Sequence, residues 1–134
     1  MAAKNKVKTV IGVNSKQILA FPQIFGAVGC IVNGDGVDAV DGRKIIKAGT
    51  PVGGAESVLE NEQAVLSVVA AGAEDTIQGV VMHDVDVTTG DDGVSLLIFG
   101  FVNQARLDDS VEITAEAKAA LNGKVTFMNR NDMR

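Results

Sequence analysis

The run Gly79-Val80-Val81-Met82-His83-Asp84-Val85-Asp86-Val87-Thr88-Thr89-Gly90-Asp91-Asp92-Gly93-Val94-Ser95-Leu96-Leu97-Ile98-Phe99-Gly100-Phe101-Val102-Asn103 holds two β-compatible segments around a polar turn. Val80–Val87 is valine-rich and alternates over its second half. This spacing predicts Val85 and Val87 on one face of a strand and Asp84, Asp86 and Thr88 on the other. Leu96–Val102 is apolar and aromatic, with Ile98 offset from Phe99 and Phe101. Thr89–Gly93 offers the glycine and aspartate positions of a hairpin loop. A hairpin alone is marginal in water, so these strands are expected to belong to a larger sheet.

Outward from this centre, the chain reads as many short strands joined by tight turns. Valine and glycine dominate, with 15 glycines, two prolines and neither tryptophan nor tyrosine. Upstream, Phe25–Val32 is expected to be a buried strand with close backbone approach at its glycines. Asn33-Gly34-Asp35-Gly36 is a turn, and Asp41-Gly42 between Val37–Val40 and Arg43–Lys47 signals a hairpin. Pro51 confines its segment to an edge or a turn. Glu56–Ala73 starts irregular or briefly helical and ends as a strand at Val65–Val69. Downstream, Thr114–Leu121 is the clearest helix, with Thr114 as cap, an alanine-rich body and an Asn122-Gly123 stop. Lys124–Met128 follows as a last strand.

The 134 residues suit one domain with one core, and 46% hydrophobic against 22% charged residues argue against a chain disordered throughout. The fold expected is mainly β, α+β by strict count. It is a small compact barrel-like domain over residues 14–134, with one short helix near 114–121 and a flexible N-terminal arm over residues 1–13. Cys30, the sole cysteine, cannot support an intrachain disulfide. No apolar run approaches the ~20 residues of a membrane span. The net charge of −5 is uneven: Lys4, Lys6 and Lys8 make the first eight residues +3, while the rest has nine basic and 17 acidic residues, a balance of −8. An acidic body disfavours direct nucleic-acid binding.

Catalytic equipment is sparse. His83-Asp84-Val85-Asp86 contains the one histidine, and a metal-dependent hydrolase would use His83, Asp84 and Asp86. In a strand, however, His83 faces away from the two carboxylates, which instead form a solvated acidic edge. Asn33–Gly36 with Asp38 and Asp41 lacks the EF-hand spacing for calcium. Cys30 sits in an apolar run, where a thiol is inert packing. No cofactor or metal is expected.

The residues Gly79–Thr88, then Gly100-Phe101-Val102-Asn103 with Leu107, then Ala115–Leu121 before Val125-Thr126-Phe127, resemble tailed-bacteriophage head decoration proteins. These are capsid cement proteins related in fold to the lambda-type decoration protein. Ala48–Gly53 fits the same pattern, and the resemblance covers roughly residues 45–128. It implies a β domain that is not an enzyme and that sits as a homotrimer at three-fold and quasi-three-fold positions on the outer capsid surface, after assembly in the host cytoplasm. It implies an arm that engages the major capsid protein by extending its sheet. Here Lys4, Lys6 and Lys8 would meet acidic capsid surface, and Val7, Val10, Ile11 and Val13 would supply strand pairing. Phe21, Phe25, Phe99 and Phe101 are the candidates for the trimer interface. The alternative is a tail-tube or baseplate-type phage structural protein, with a small metal-dependent hydrolase behind it.

Overall fold

The computed structural model describes residues 17–130. In chain order its strands are β1 (Gly26–Val32), β2 (Ile45–Ile46), β3 (Pro51–Gly53), β4 (Val65–Val68), β5 (Ile77–Val81), β6 (Val85–Asp86), β7 (Asp92–Asn103) and β8 (Val125–Met128). The helix α1 (Ala115–Ala120) lies between β7 and β8. Strands take 37% and helices 11% of the described residues, so the fold is mainly β. Five strands close into a barrel in the order β1-β4-β3-β5-β7, with β7 returning to β1. Closure rests on a long antiparallel ribbon in which Ala27 faces Leu97 and Val32 faces Asp92. β8 lies parallel to β7 outside the ring, and β2 and β6 form a separate pair.

Strand alternation sorts the apolar residues into two cores. Cys30, Val32, Val52, Leu66, Val81 and Leu96 come from all five barrel strands and pack together with Ile46, Val85 and Val87. A residue set supplied by every strand of a closed ring fills its interior. The neighbours Val80 and Leu97 point outward into a second core with Ile18, Leu19, Val102, Leu107, Ala117, Leu121 and Val125. There α1 and β8 cover the outside of β5 and β7. The helix is built as its sequence dictates: the Thr114 hydroxyl accepts the Ala117 N–H at 3.1 Å, and only Ala117 of its residues is buried.

The central stretch departs from expectation at Met82–Asp84. Val80 and Val81 pair with Leu97 and Leu96, as a hairpin requires, but the valine-rich run is not one strand. The chain leaves the barrel after Val81 and re-forms as β6, which pairs with β2 through Asp86 opposite Ile45 and Val85 opposite Ile46. The excursion carries Asp84 to the Ala48 backbone, and β7 begins at Asp92, inside the expected turn. Pro51 is also corrected. β3 is central, between β4 and β5, and Pro51 is its first residue, where a missing N–H is tolerated. Gly53 permits that position, because a Cβ there would overlap the Thr76 carbonyl. Asp41-Gly42 forms the expected turn, with φ of 54° and 78° and reciprocal bonds between Val40 and Arg43 of 2.8 and 3.0 Å.

Candidate interaction surface

At one end of the β1–β7 ribbon the register slips. Gly26 faces Phe99 while Ala27 faces Leu97, so Ile98 is an extra residue on β7. Such a bulge re-aims the side chains beside it. Beyond it, Leu19 pairs with Val102, and the Ala20 N–H donates to the Phe101 carbonyl at 2.8 Å. That bond sets the Phe21-Pro22 turn against β7. The rings of Phe21 and Phe101 meet edge to face at 5.3 Å and 76°, and those of Phe99 and Phe101 at 6.4 Å and 71°. Phe25 backs onto Gly100, where an added Cβ would lie 3.2 Å from the Phe25 Cβ. The structure therefore brings Phe21, Phe99 and Phe101 together from two distant segments, with Phe25 against the backbone at Gly100.

The cluster is not a core. Phe21, Phe25 and Phe99 are 43%, 44% and 48% exposed, and Ile24 beside them is 54% exposed. Aromatic pairs of this geometry gain about 0.5–1.5 kcal/mol each, which orders the rings without removing them from water. Ile24 was missed by the sequence reading. The signal that finds it is charge: Gln17–Gly34 and Gly93–Ala105 are the two longest runs free of Asp, Glu, Lys, Arg and His. The fold lays them side by side as the β1–β7 ribbon and its approach.

His83, Asp84 and Asp86 do not converge. His83 is exposed, and Asp84 is buried at 8% exposure. Asp84 accepts the Ala48 N–H at 2.8 Å and lies 3.6 Å from Lys47 Nζ, which also approaches Asp108 at 3.9 Å. Asp86 bonds the Arg43 guanidinium at 2.7 Å with its side chain about a third exposed. The expected solvated acidic edge is thus two separate ion pairs, because the interruption of the strand at Met82–Asp84 turns the first carboxylate inward. Among the described residues no three His, Cys, Asp or Glu side chains are grouped to hold a metal ion.

The Arg43 hydrogen bond, with the Thr88 hydroxyl and N–H, holds Asp86 down at about 2, below its ordinary 3.8. A depressed carboxyl stabilises the fold above its unfolded pKa, and that contribution is lost as pH falls from about 4 through 2. Carbon-detected titration of the Asp86 carboxyl will show a midpoint near 2, and Arg43→Ala will move it up towards the ordinary value.

Cys30 faces the barrel interior, 4% exposed. Burial pushes its thiol from 9.0 up to about 11. A raised thiol pKa contributes stability below the unfolded value, and this is lost as pH rises from about 9 to 11. Ellman's reagent at pH 8 will label Cys30 in urea within minutes. It will label the native protein only at the rate of transient opening.

No family model, curated protein or solved structure matches this chain. No helix among the described residues is long and apolar enough to cross a membrane. The arm residues Lys4, Lys6, Val7, Lys8, Val10, Ile11 and Val13 lie outside the described residues.

Proposed function

We propose that this chain is a structural virion protein, a head decoration subunit that binds the outside of an expanded phage capsid. It sits there as trimers at three-fold and quasi-three-fold positions and braces the shell against packaged DNA. The observation that carries the reading is the apolar surface of Phe21 and Phe99, each nearly half exposed, gathered around the partly buried Phe101 ring. Contiguous exposed apolar surface marks a docking face. The sequence resemblance over residues 45–128 supplies the kind of assembly, and the barrel with one short helix is compatible with it.

In this reading the protein acts by binding alone, without a cofactor. The basic residues 1–13 engage the major capsid protein, and strand addition gives affinity through backbone hydrogen bonds. Each contact can be weak, because a trimer raises the effective concentration of its other arms. Preference for the expanded shell stabilises that state by differential affinity.

Co-sedimentation with undecorated expanded capsids of the same phage tests this, using the full chain and a form lacking residues 2–13. Saturable binding near one copy per capsid-protein subunit, lost on truncation, is expected. Binding that survives truncation removes the arm assignment and leaves the function. Absence of binding overturns the reading and directs attention to tail assemblies, where ring-shaped hexamers are the distinguishing observation.

A further inference from the structure

We infer that the groove between residues 37–43 and 108–111 is the seat of this chain's own N-terminal segment, which occupies it until a partner takes the segment away. The inference concerns the free protein and goes beyond the decoration reading, which places the same segment on the capsid.

The groove has a volume of about 720 Å³, within the usual range of binding pockets. Val37, Val40, Ile45, Val68 and Val111 give it apolar walls, and Val40 is 69% exposed. Its two cations are already engaged, Arg43 by Asp86 and Lys47 by Asp84 and Asp108. Asp38 and Asp41 also line it, are exposed, and form no ion pair among the described residues. The uncompensated charge of the groove is therefore negative. That selects against an anionic occupant, and a neutral apolar one would leave both carboxylates unmatched. The matching occupant combines apolar side chains with positive charge.

The sixteen residues before Gln17 have that composition. They hold Lys4, Lys6, Lys8 and Lys16 and no acidic residue, and Val7, Val10, Ile11 and Val13 supply apolar groups. The chain also enters at the right place. The Gln17 carbonyl accepts from Arg106 at 3.4 Å, and Arg106 is two residues from Asp108 in the groove wall. Two residues span at most ~7 Å, while residues 13–16 reach up to ~14 Å when extended, so residues 7–13 fall within reach of the groove. A second copy's segment has the same chemistry, but the tether gives the chain's own segment an effective concentration on the order of millimolar. At micromolar protein the tethered segment wins. Exposed ion pairs contribute little, so charge selects the occupant and apolar burial holds it. In the proposed reading, the capsid then has to displace this contact before the arm can extend its sheet.

The test uses the full chain with Thr9→Cys carrying a nitroxide; Cys30 is buried and stays unlabelled. Paramagnetic broadening is read on the methyl signals of the folded body. Val37, Val40, Ile45 and Val111 should broaden more than Leu59, which lines a different depression. Asp38→Lys with Asp41→Asn should lower the seated fraction on the order of tenfold. Asparagine accepts the positive φ of 54° at position 41, so the turn is kept. Lys6→Glu with Lys8→Glu should release the segment equally, and combining both pairs of substitutions should restore the broadening.

Equal broadening of the groove methyls and Leu59 overturns the inference, as does groove broadening that ignores the charge changes. Mixing nitroxide-bearing protein with methyl-labelled protein that has no nitroxide separates the copies. Groove broadening in that mixture assigns the seat to a second copy's segment and also overturns the inference. No capsid enters this experiment, so its failure leaves the decoration reading standing, and failed capsid binding leaves the groove contact standing.

Discussion

Leu96→Ala and Leu97→Ala will each lower the unfolding free energy by about 3 kcal/mol, within the usual range of about 2–5 for a fully buried leucine. Both side chains are fully buried. They are adjacent in β7 yet enter different cores, Leu96 the barrel interior and Leu97 the layer under α1. Leu96 sits opposite Val28 and Val81, and Leu97 opposite Ala27 and Val80. The two cavities therefore open on opposite sides of one backbone strand and share few lining atoms. Their costs should add, with a coupling below about 0.5 kcal/mol in a double-mutant cycle by urea denaturation. The double variant would lose about 6 kcal/mol, comparable to the whole stability of a small domain. A strongly coupled pair would mean that the cores behave as one, and that β7 is not a wall between them.

That wall was only partly legible in the sequence. Period-two alternation assigns side chains to faces, and it correctly set Ile98 apart from Phe99 and Phe101: Ile98 packs toward the barrel interior while Phe99 is exposed. Local chemistry was equally readable where it is decided locally. Thr114 caps α1 and Asp41-Gly42 turns the chain; Gly26–Val32 is a strand as expected, but only Cys30 and Val32 in it are buried, because its other face stays open beside β7.

What alternation cannot carry is which sheet a strand joins. Val80–Val87 reads as one strand, yet its two halves pair with different partners, β5 with β3 and β7, and β6 with β2. Pro51 misleads for the same reason, since only the ring order reveals that a strand-initial proline sits in the middle of the barrel. Among the site candidates, the four phenylalanines were visible as large apolar residues, but the meeting of Phe21 with Phe99 and Phe101 depends on the Leu19–Val102 bridge and the bulge at Ile98. Ile24 looked like any apolar residue near a turn until the two charge-free runs were seen to lie together.

Asp84 is the sharpest consequence of that broken strand. Asp84→Ala will cost about 2–3 kcal/mol, chiefly for leaving the buried Ala48 N–H without its acceptor. By strand periodicity Asp84 and Asp86 are equivalent, and alanine at either would be a mild surface change. In the fold, Asp84 is buried with its carboxylate on the Ala48 N–H and near Lys47, whose side chain is 30% exposed. Removing it deprives a buried N–H of its acceptor and leaves Lys47 with the more distant Asp108.

Asp84→Asn should cost less, about 1–2 kcal/mol, because an amide oxygen can still accept from Ala48 while the charge is gone. Lys47→Met in the Asp84→Ala background should recover part of the loss by removing the under-compensated cation. Asp86→Ala, on a partly exposed pair with Arg43, should be clearly milder than Asp84→Ala. Equal effects at the two positions in chemical denaturation would restore the single solvated strand and undo the β5–β6 break. The predicted inequality instead makes Asp84 the joint between the β2–β6 pair and the barrel, holding the β2–β3 turn at the point where the chain leaves β5.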